Sequence, residues 1–144
     1  MTRGSSLSDN AAAPGTAYIY KVRALDGSGN AGPYSNIDLA TTIVFSDDPL
    51  AAGTLIKAVH INQIRTAVNA VRALAGLGAA SLTDATITPG VTTAKALHIT
   101  QLRSALDAAR AALGLPAIAY TDAIAPGVTL VKTPHITQLR DGVK

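Results

Sequence analysis

The sequence predicts an α+β protein in which an N-terminal β-hairpin precedes a series of helical repeats. Two patterns favour this class. Apolar and polar residues alternate over 16–26, as they do in a half-buried strand. From residue 45 onward a motif recurs every 37 or 38 residues, and each copy combines one amphipathic helix with an extended connector. We therefore place a β segment at 1–44 and repeats at 45–81, 82–119 and 120–144, the last of them truncated.

The β segment is predicted to form one hairpin. The stretch "TAYIYKVRALD" (16–26) has two faces, with Tyr18, Tyr20, Val22 and Ala24 on one and Ile19, Lys21 and Arg23 on the other. "GSGNAGP" (27–33) is typical of a turn, and "YSNIDLATTIVF" (34–45) provides the returning strand. A lone hairpin is marginally stable in water, so we expect another surface to cover it.

Each repeat presents its polar residues in the same order. It opens with "FSD" at 45, "LTD" at 82 or "YTD" at 120, and continues through a glycine and a lysine into the helix. The three histidines of the chain all lie at one position of this motif, as in "KAVHINQIR" at 57–65. The residues that we assign to packing within and between repeats are His60, His98, His135, Lys57, Lys95, Lys132, Arg65, Arg103, Arg140, Asp47, Asp84 and Asp122.

Proline and glycine indicate where the helices begin and end. Thr133 followed by proline is typical of an N-cap and a first turn, so by alignment the helices begin near Val59, Leu97 and Pro134. Gly76 and Gly114, each followed by leucine, predict the ends of the first two helices. One helix of about 17 residues cannot bury its own apolar stripe, so the repeats are expected to pack on one another. The stripes consist of Ile61, Ile64, Val68, Val71 and Ala75, and of Ile99, Leu102, Leu106, Ala109 and Leu113.

The histidines admit two interpretations. His98 lies about 40° from Leu102 and about 100° from Ile99 around the helix, so it borders the apolar stripe. In the first interpretation a neutral ring packs against the preceding Ser/Thr-Asp segment and bonds to it through one nitrogen. In the second, the three rings converge on a zinc ion. Equivalent positions of stacked repeats usually lie a repeat apart, which favours the first interpretation.

The remaining recurring residues also fit structural roles. The lysines are expected at helix starts or between repeats, and the arginines cover apolar surface with their aliphatic stems. Asp47, Asp84 and Asp122 would accept hydrogen bonds in turns, because "DDPLAAG" and "DATITPG" offer too few oxygen ligands for calcium. No phosphate-binding or nucleophile motif is present, and each candidate group recurs once per repeat. We predict no catalytic residues and no cofactor.

Composition excludes several classes of function. The formal charge of +3 is scattered, which argues against a nucleic-acid surface. Cysteine is absent, which excludes disulfides and thiolate chemistry. No apolar run approaches the roughly 20 residues that span a bilayer, and the first ten residues, "MTRGSSLSDN", lack the apolar stretch of a signal peptide.

Two family resemblances follow from these motifs. "PGTAYIYKVRALDGSGNAGPYSNIDLATT" resembles the last two strands of a fibronectin type III domain, and "SSLSDNAAAPG" would be the strand before them. Four of the seven strands of that domain have no counterpart in this sequence. The segment 45–144 is similar to the "IKAxHIxxLRxAV" C-terminal repeats of secreted bacterial proteins, and more weakly to S-layer homology modules. These resemblances imply an extracellular or cell-surface location and bring no catalytic residues.

Three functions remain as hypotheses. The first is a non-catalytic structural protein that self-associates, as a filament or surface-layer subunit, when a neighbouring copy completes the exposed sheet by strand addition. Its motivation is the incomplete sandwich and the truncated last repeat. The second is an anchor that binds cell-wall polysaccharide, although the scarcity of aromatic residues disfavours sugar stacking. The third is a metal-dependent enzyme.

Overall fold

The computed structural model describes residues 6, 8–125 and 127–144. Within these residues the fold is mixed α and β, with four short strands in two small sheets and three helices. The elements in chain order are β1 (Ala17–Tyr20), β2 (Arg23–Leu25), β3 (Ala31–Tyr34), β4 (Asp38–Thr41), α1 (Ala58–Leu74), α2 (Ala96–Ala112) and α3 (Thr133–Gly142).

The predicted hairpin is present, but each of its two long strands is divided. β1 pairs antiparallel with β4, and β2 pairs antiparallel with β3, so the four strands form two sheets of two strands each. The division occurs where the Ser35 side chain enters the ladder: its Oγ accepts a hydrogen bond from the Val22 N–H at 3.0 Å. A side chain therefore replaces a backbone partner at this point, and the regular pairing stops.

Only the base of the hairpin is covered. Ala17 and Leu39, on one face of the β1–β4 sheet, are buried in the same core as the helices. All seven residues of β2 and β3 are exposed. The expected strand in "SSLSDNAAAPG" is not found at residues 6 and 8–15, and the described parts of the connectors likewise form no strand. The second half of the hairpin consequently stands away from the core.

The helices begin one residue earlier than predicted. The N-cap residues are Lys57, Lys95 and Lys132, and Thr133, which we expected to be a cap, is the first residue of α3. The prediction was wrong because it assigned the capping role to a Ser/Thr side chain. The cap is supplied instead by the histidine at the third helical position, as described below.

The predicted ends of the first two helices at glycine are confirmed. Gly76 and Gly114 have positive φ angles of 71° and 70°. The N–H of the following Leu77 donates to the carbonyl of Arg72 at 2.8 Å, and Leu115 repeats this bond to Arg110 at 2.9 Å. This is the left-handed glycine termination that the Gly-Leu pairs predict.

The expected apolar stripes form one core shared by the three helices. Buried on these stripes are Ile61, Ile64, Val68, Val71, Ile99, Leu102, Leu106, Ala109, Ile136 and Leu139. α3 has 10 residues where α1 and α2 have 17, yet Ile136, Leu139 and Val143 are completely buried. The helix of the last sequence repeat therefore leaves no apolar stripe exposed, so α3 does not support our expectation of an outside partner at this repeat.

Gly142 marks the closest packing of α3 against its neighbours. A Cβ atom at this position would lie 2.9 Å from Leu106 Cδ2 and closer still to Ile118 Cδ1. We expect Gly142→Ala to lower the free energy of unfolding by about 1–3 kcal/mol, because the buried Leu106 and the partly buried Ile118 must shift. Gly78→Ala is the control, since no atom lies within 4 Å of its added Cβ. Equal urea midpoints for the two variants would contradict this packing.

Within the described residues, no helix is both long and apolar enough to cross a bilayer.

Candidate functional site

Each histidine lies between the helix start and the preceding aspartate. The Nδ1 atoms of His60, His98 and His135 accept hydrogen bonds from the backbone N–H groups of Lys57, Lys95 and Lys132 at 3.1–3.2 Å. The Nε2 atoms lie 3.1, 2.9 and 3.1 Å from Oδ2 of Asp47, Asp84 and Asp122. The predicted bond to the Ser/Thr-Asp segment is therefore confirmed in all three copies.

The hydrogen bonds determine the tautomer of each ring. Because Nδ1 accepts an N–H, it carries no proton, and the proton on Nε2 is donated to the carboxylate. Both ring nitrogens are thus occupied by the fold itself. Each ring binds its own aspartate, so the three do not meet at one point. In the described part of the chain no group of three His, Asp or Glu side chains is arranged to hold a metal ion.

The burial of the histidines differs from the prediction. We expected rings at the border of the apolar stripe, but all three are fully buried. The helical wheel considers only one helix, whereas the Ser/Thr-Asp loop folds over the outer side of the ring and removes it from water. A fully buried imidazole is tolerated because both nitrogens have partners.

The lysines and aspartates extend the same contact to the surface. Lys57 Nζ lies 3.3 Å from Asp47 Oδ2, and Lys95 Nζ lies 2.7 Å from Asp84 Oδ2. Asp47 and Asp84 have positive φ angles of 54° and 51°, a conformation that aspartate adopts more readily than most residues. Their carboxylates each join a buried histidine to an exposed lysine.

Each of three arginines connects its helix to a loop of another repeat, because the charged end of the side chain binds backbone oxygens of that loop. Arg65 on α1 donates to the carbonyls of Thr83 and Asp84 at 2.8 and 2.6 Å. Arg103 on α2 donates to the Asp122 carbonyl at 2.7 Å. We call these contacts, in which an arginine of one repeat binds the Ser/Thr-Asp loop of another, the arginine bridges.

The third arginine bridge closes the series. Arg140 on α3 donates to the carbonyls of Ser46 and Asp47 at 2.7 and 3.0 Å, back in the loop before α1. The bridges thus run from the first repeat to the second, from the second to the third and from the third to the first. Arg140 also lies 4.9 Å from the centroid of the Phe45 ring, as Arg103 lies 4.2 Å from that of Tyr120. Our expectation that the arginines merely cover apolar surface missed these bonds.

Three glutamines that are not among the predicted site residues also bind the Ser/Thr-Asp loops. Gln63 accepts from the Ser46 N–H and donates to Ser46 Oγ, both at 2.9 Å. Gln101 does the same with Thr83, also at 2.9 Å, and Gln138 donates to Thr121 Oγ1 at 2.8 Å. The signal was present, because a glutamine follows each histidine by three residues.

The electrostatics of the loops predict a dependence on pH. Hydrogen bonds from His60 and then Lys57 lower the pKa of Asp47, and bonds from Lys95 and then His98 lower the pKa of Asp84, both from an ordinary value of 3.8. A lowered pKa in the folded state stabilises the fold above the unfolded-state value and loses that effect as pH falls through the folded-state value. The stabilisation from these two carboxylates should therefore be nearly constant above about pH 5 and fall below about pH 4.

Asp84→Asn tests this dependence. Asparagine also tolerates positive φ and keeps an oxygen acceptor for His98, so the substitution removes mainly the charge. We expect the variant to unfold at lower urea than the parent at pH 7 and the difference to narrow below pH 4. A difference that is equally large at pH 3 and pH 7 would show that the Asp84 charge does not stabilise the fold.

The arrangement is suited to holding the chain together, since the recurring histidines, aspartates, arginines and glutamines are all engaged by other parts of the fold. Comparison of the chain with protein-family models, with curated proteins and with solved structures finds no match.

Proposed function

We propose that this protein is a non-catalytic structural component, acting outside the cell or at its surface, which self-associates by adding strands to the β2–β3 sheet. The observation that supports this proposal is the different exposure of apolar side chains in the two parts of the chain. The helices bury their apolar stripes within the chain, whereas Val22, Leu25 and Tyr34 on the projecting hairpin are 67%, 59% and 59% exposed.

Fewer features support self-association in the structure than in the sequence. The last repeat contributes none, because Arg140 and the buried side chains of α3 already close it against the first. The β1–β4 sheet is partly covered, since Ala17 and Leu39 pack in the helical core. Self-association would therefore depend on β2 and β3, a two-stranded sheet that is exposed on both faces and is marginal in water without a partner.

The outer edge of β2 has the geometry needed for strand addition. The Val22 carbonyl accepts the Ser35 N–H at 2.7 Å, and the Asp26 N–H donates to the Asn30 carbonyl at 2.9 Å, so both groups point toward β3. In an antiparallel pair the intervening residues alternate in direction. The backbone groups of Arg23 and Leu25 consequently point away from β3, where another strand can bind them.

The finer description of the fold belongs to this proposal. We infer that 1–44 is the closing part of a fibronectin type III-like sandwich and that 45–144 comprises three repeats of one structural unit. The two antiparallel pairs around the "GSGNAGP" turn support the first inference, and the recurring His–Asp bonds and arginine bridges support the second.

Leu25→Pro tests the proposal directly. Proline removes an N–H that points away from β3, so the β2–β3 pairing can persist while a bond to an added strand is lost. We expect the parent to form concentration-dependent oligomers in sedimentation velocity and Leu25→Pro to remain largely monomeric. Leu25→Ser is the matched control, because it removes the same side chain and keeps the N–H, and it should weaken association less than the proline variant does.

Two outcomes would contradict the proposal. One is a parent protein that sediments as a monomer at every concentration tested. The other is a Leu25→Pro variant that assembles as the parent does.

A further inference from the structure

The two projecting strands differ in the regularity of their outer edges. Arg23 of β2 pairs with Tyr34 of β3, and Leu25 pairs with Ala31. One residue therefore lies between these pairs on β2, but two lie between them on β3, so β3 contains a bulge. Pro33, which has no N–H, is one of the two. Bulges and prolines both hinder the addition of a strand, so β2 has the more open edge.

The same difference limits which strand of a second copy can add to β2. The base of the hairpin is packed in the helical core through Ala17 and Leu39, so a second copy offers its projecting strands, β2 or β3. Its β3 is hindered by the bulge and by Pro33. Its β2 has the same open edge as the strand that it would join. Two identical edges can satisfy each other across a two-fold axis, which gives a closed pair of chains.

We propose that the strand added to β2 is β2 of a second copy, which pairs antiparallel across a two-fold axis at Ala24. The pairing rests on the strand addition proposed above, and it names the partner. The two hairpins then form one four-stranded sheet in the order β3, β2, β2, β3. Both outer strands of this sheet are β3, so further growth is hindered at each edge.

The position of the axis follows from hydrogen bonding and charge. The backbone groups of Arg23 and Leu25 point away from β3, so an antiparallel neighbour must place its own outward groups opposite them. An axis at Arg23 would set two arginines directly opposite each other, which is unfavourable. An axis at Leu25 would set Arg23 opposite Gly27, which lies in the turn. With the axis at Ala24, each Arg23 meets Leu25 of the other copy and every residue of β2 is paired.

The side chains of β2 are compatible with this register. The Arg23 guanidinium lies 5.1 Å from the centroid of the Tyr34 ring, so it is turned toward β3 and away from the outer edge. The position beside the Arg23 stem is left to Leu25 of the second copy, a side chain that is 59% exposed in the single chain. Covering this apolar surface favours the pair. The contact is small, so we expect the pair to dissociate on dilution.

Cysteine cross-linking tests the register, because the chain has no cysteine of its own. The two Ala24 residues form a non-hydrogen-bonded pair whose Cα atoms lie about 4.5 Å apart, a distance that a disulfide spans. Val22→Cys is the matched control, because it also introduces an exposed cysteine but the two copies lie roughly 14 Å apart along the strands. Under mild oxidation we expect Ala24→Cys to form disulfide-linked dimers at least about tenfold faster than Val22→Cys.

Sedimentation velocity of the parent separates failure of this pairing from failure of strand addition. We expect monomer and dimer and no larger species. A parent that is monomeric at every concentration overturns both proposals. A parent that associates while Ala24→Cys cross-links no faster than Val22→Cys overturns the pairing alone, and so does growth of the parent beyond the dimer. Faster cross-linking in Leu25→Cys than in Ala24→Cys would overturn the axis at Ala24.

Discussion

Replacing Arg140 with methionine should lower the free energy of unfolding by about 2–4 kcal/mol. The guanidinium is almost completely buried and donates to two loop carbonyls, those of Ser46 and Asp47. Methionine fills much of the same volume but leaves both acceptors without their donor. The Nε atom of Arg140 has no hydrogen-bond partner within the described residues, so its removal offsets a small part of the loss. Urea unfolding followed by circular dichroism measures the change.

The control for this substitution is another arginine that stacks on an aromatic ring. Arg23 lies 5.1 Å from the centroid of the Tyr34 ring, but it is exposed on the projecting hairpin. Arg23→Met should change the free energy of unfolding by no more than about 0.5 kcal/mol, as is usual at exposed positions. If the two variants unfold at the same urea concentration, then the bonds from Arg140 to the loop before α1 do not stabilise the fold.

The second large effect is expected at the histidines. His98→Ala removes a fully buried ring, the acceptor of the Lys95 N–H and the donor to Asp84. The cavity and the unpaired backbone N–H together should cost about 3 kcal/mol. Calorimetry would show this loss as a lower melting temperature.

His98→Asn separates the contribution of the bond to the Lys95 N–H from the contributions of the buried ring and of its bond to Asp84. An asparagine oxygen can accept the Lys95 N–H from nearly the position of Nδ1, but the side chain is too short to reach Asp84 as well. We therefore expect His98→Asn to be more stable than His98→Ala and less stable than the parent. An asparagine variant no better than the alanine variant would mean that the bond to the Lys95 N–H contributes little.

The sequence predicted the features that depend on neighbouring residues. Gly76 and Gly114 end their helices in the left-handed conformation, because only glycine adopts it without strain, and this requirement is visible in the sequence. The apolar stripes of α1 and α2 follow from helical spacing for the same reason. The bond of each histidine to its Ser/Thr-Asp segment could be inferred because both recur together in the sequence.

The features that depend on distant residues were not predicted. Arg140 meets Ser46 across 94 positions of the chain, and a repeat period is compatible with an open stack as well as with a closed set of three. The complete burial of the histidines depends on a loop that a helical wheel does not include. The division of the hairpin arises from one serine side chain, Ser35, which alternation of apolar residues cannot reveal.

The three helices close on themselves within a single chain. Lys144 Nζ lies 3.3 Å from Asp48 Oδ2, which brings the end of the last repeat beside the loop of the first. The chain has no cysteine, so Asp48→Cys with Lys144→Cys provides one unique pair for a short bismaleimide cross-linker. We expect a cross-linked single chain at all protein concentrations, identified by its intact mass. A product that joins two chains, and that disappears on dilution, would contradict the account.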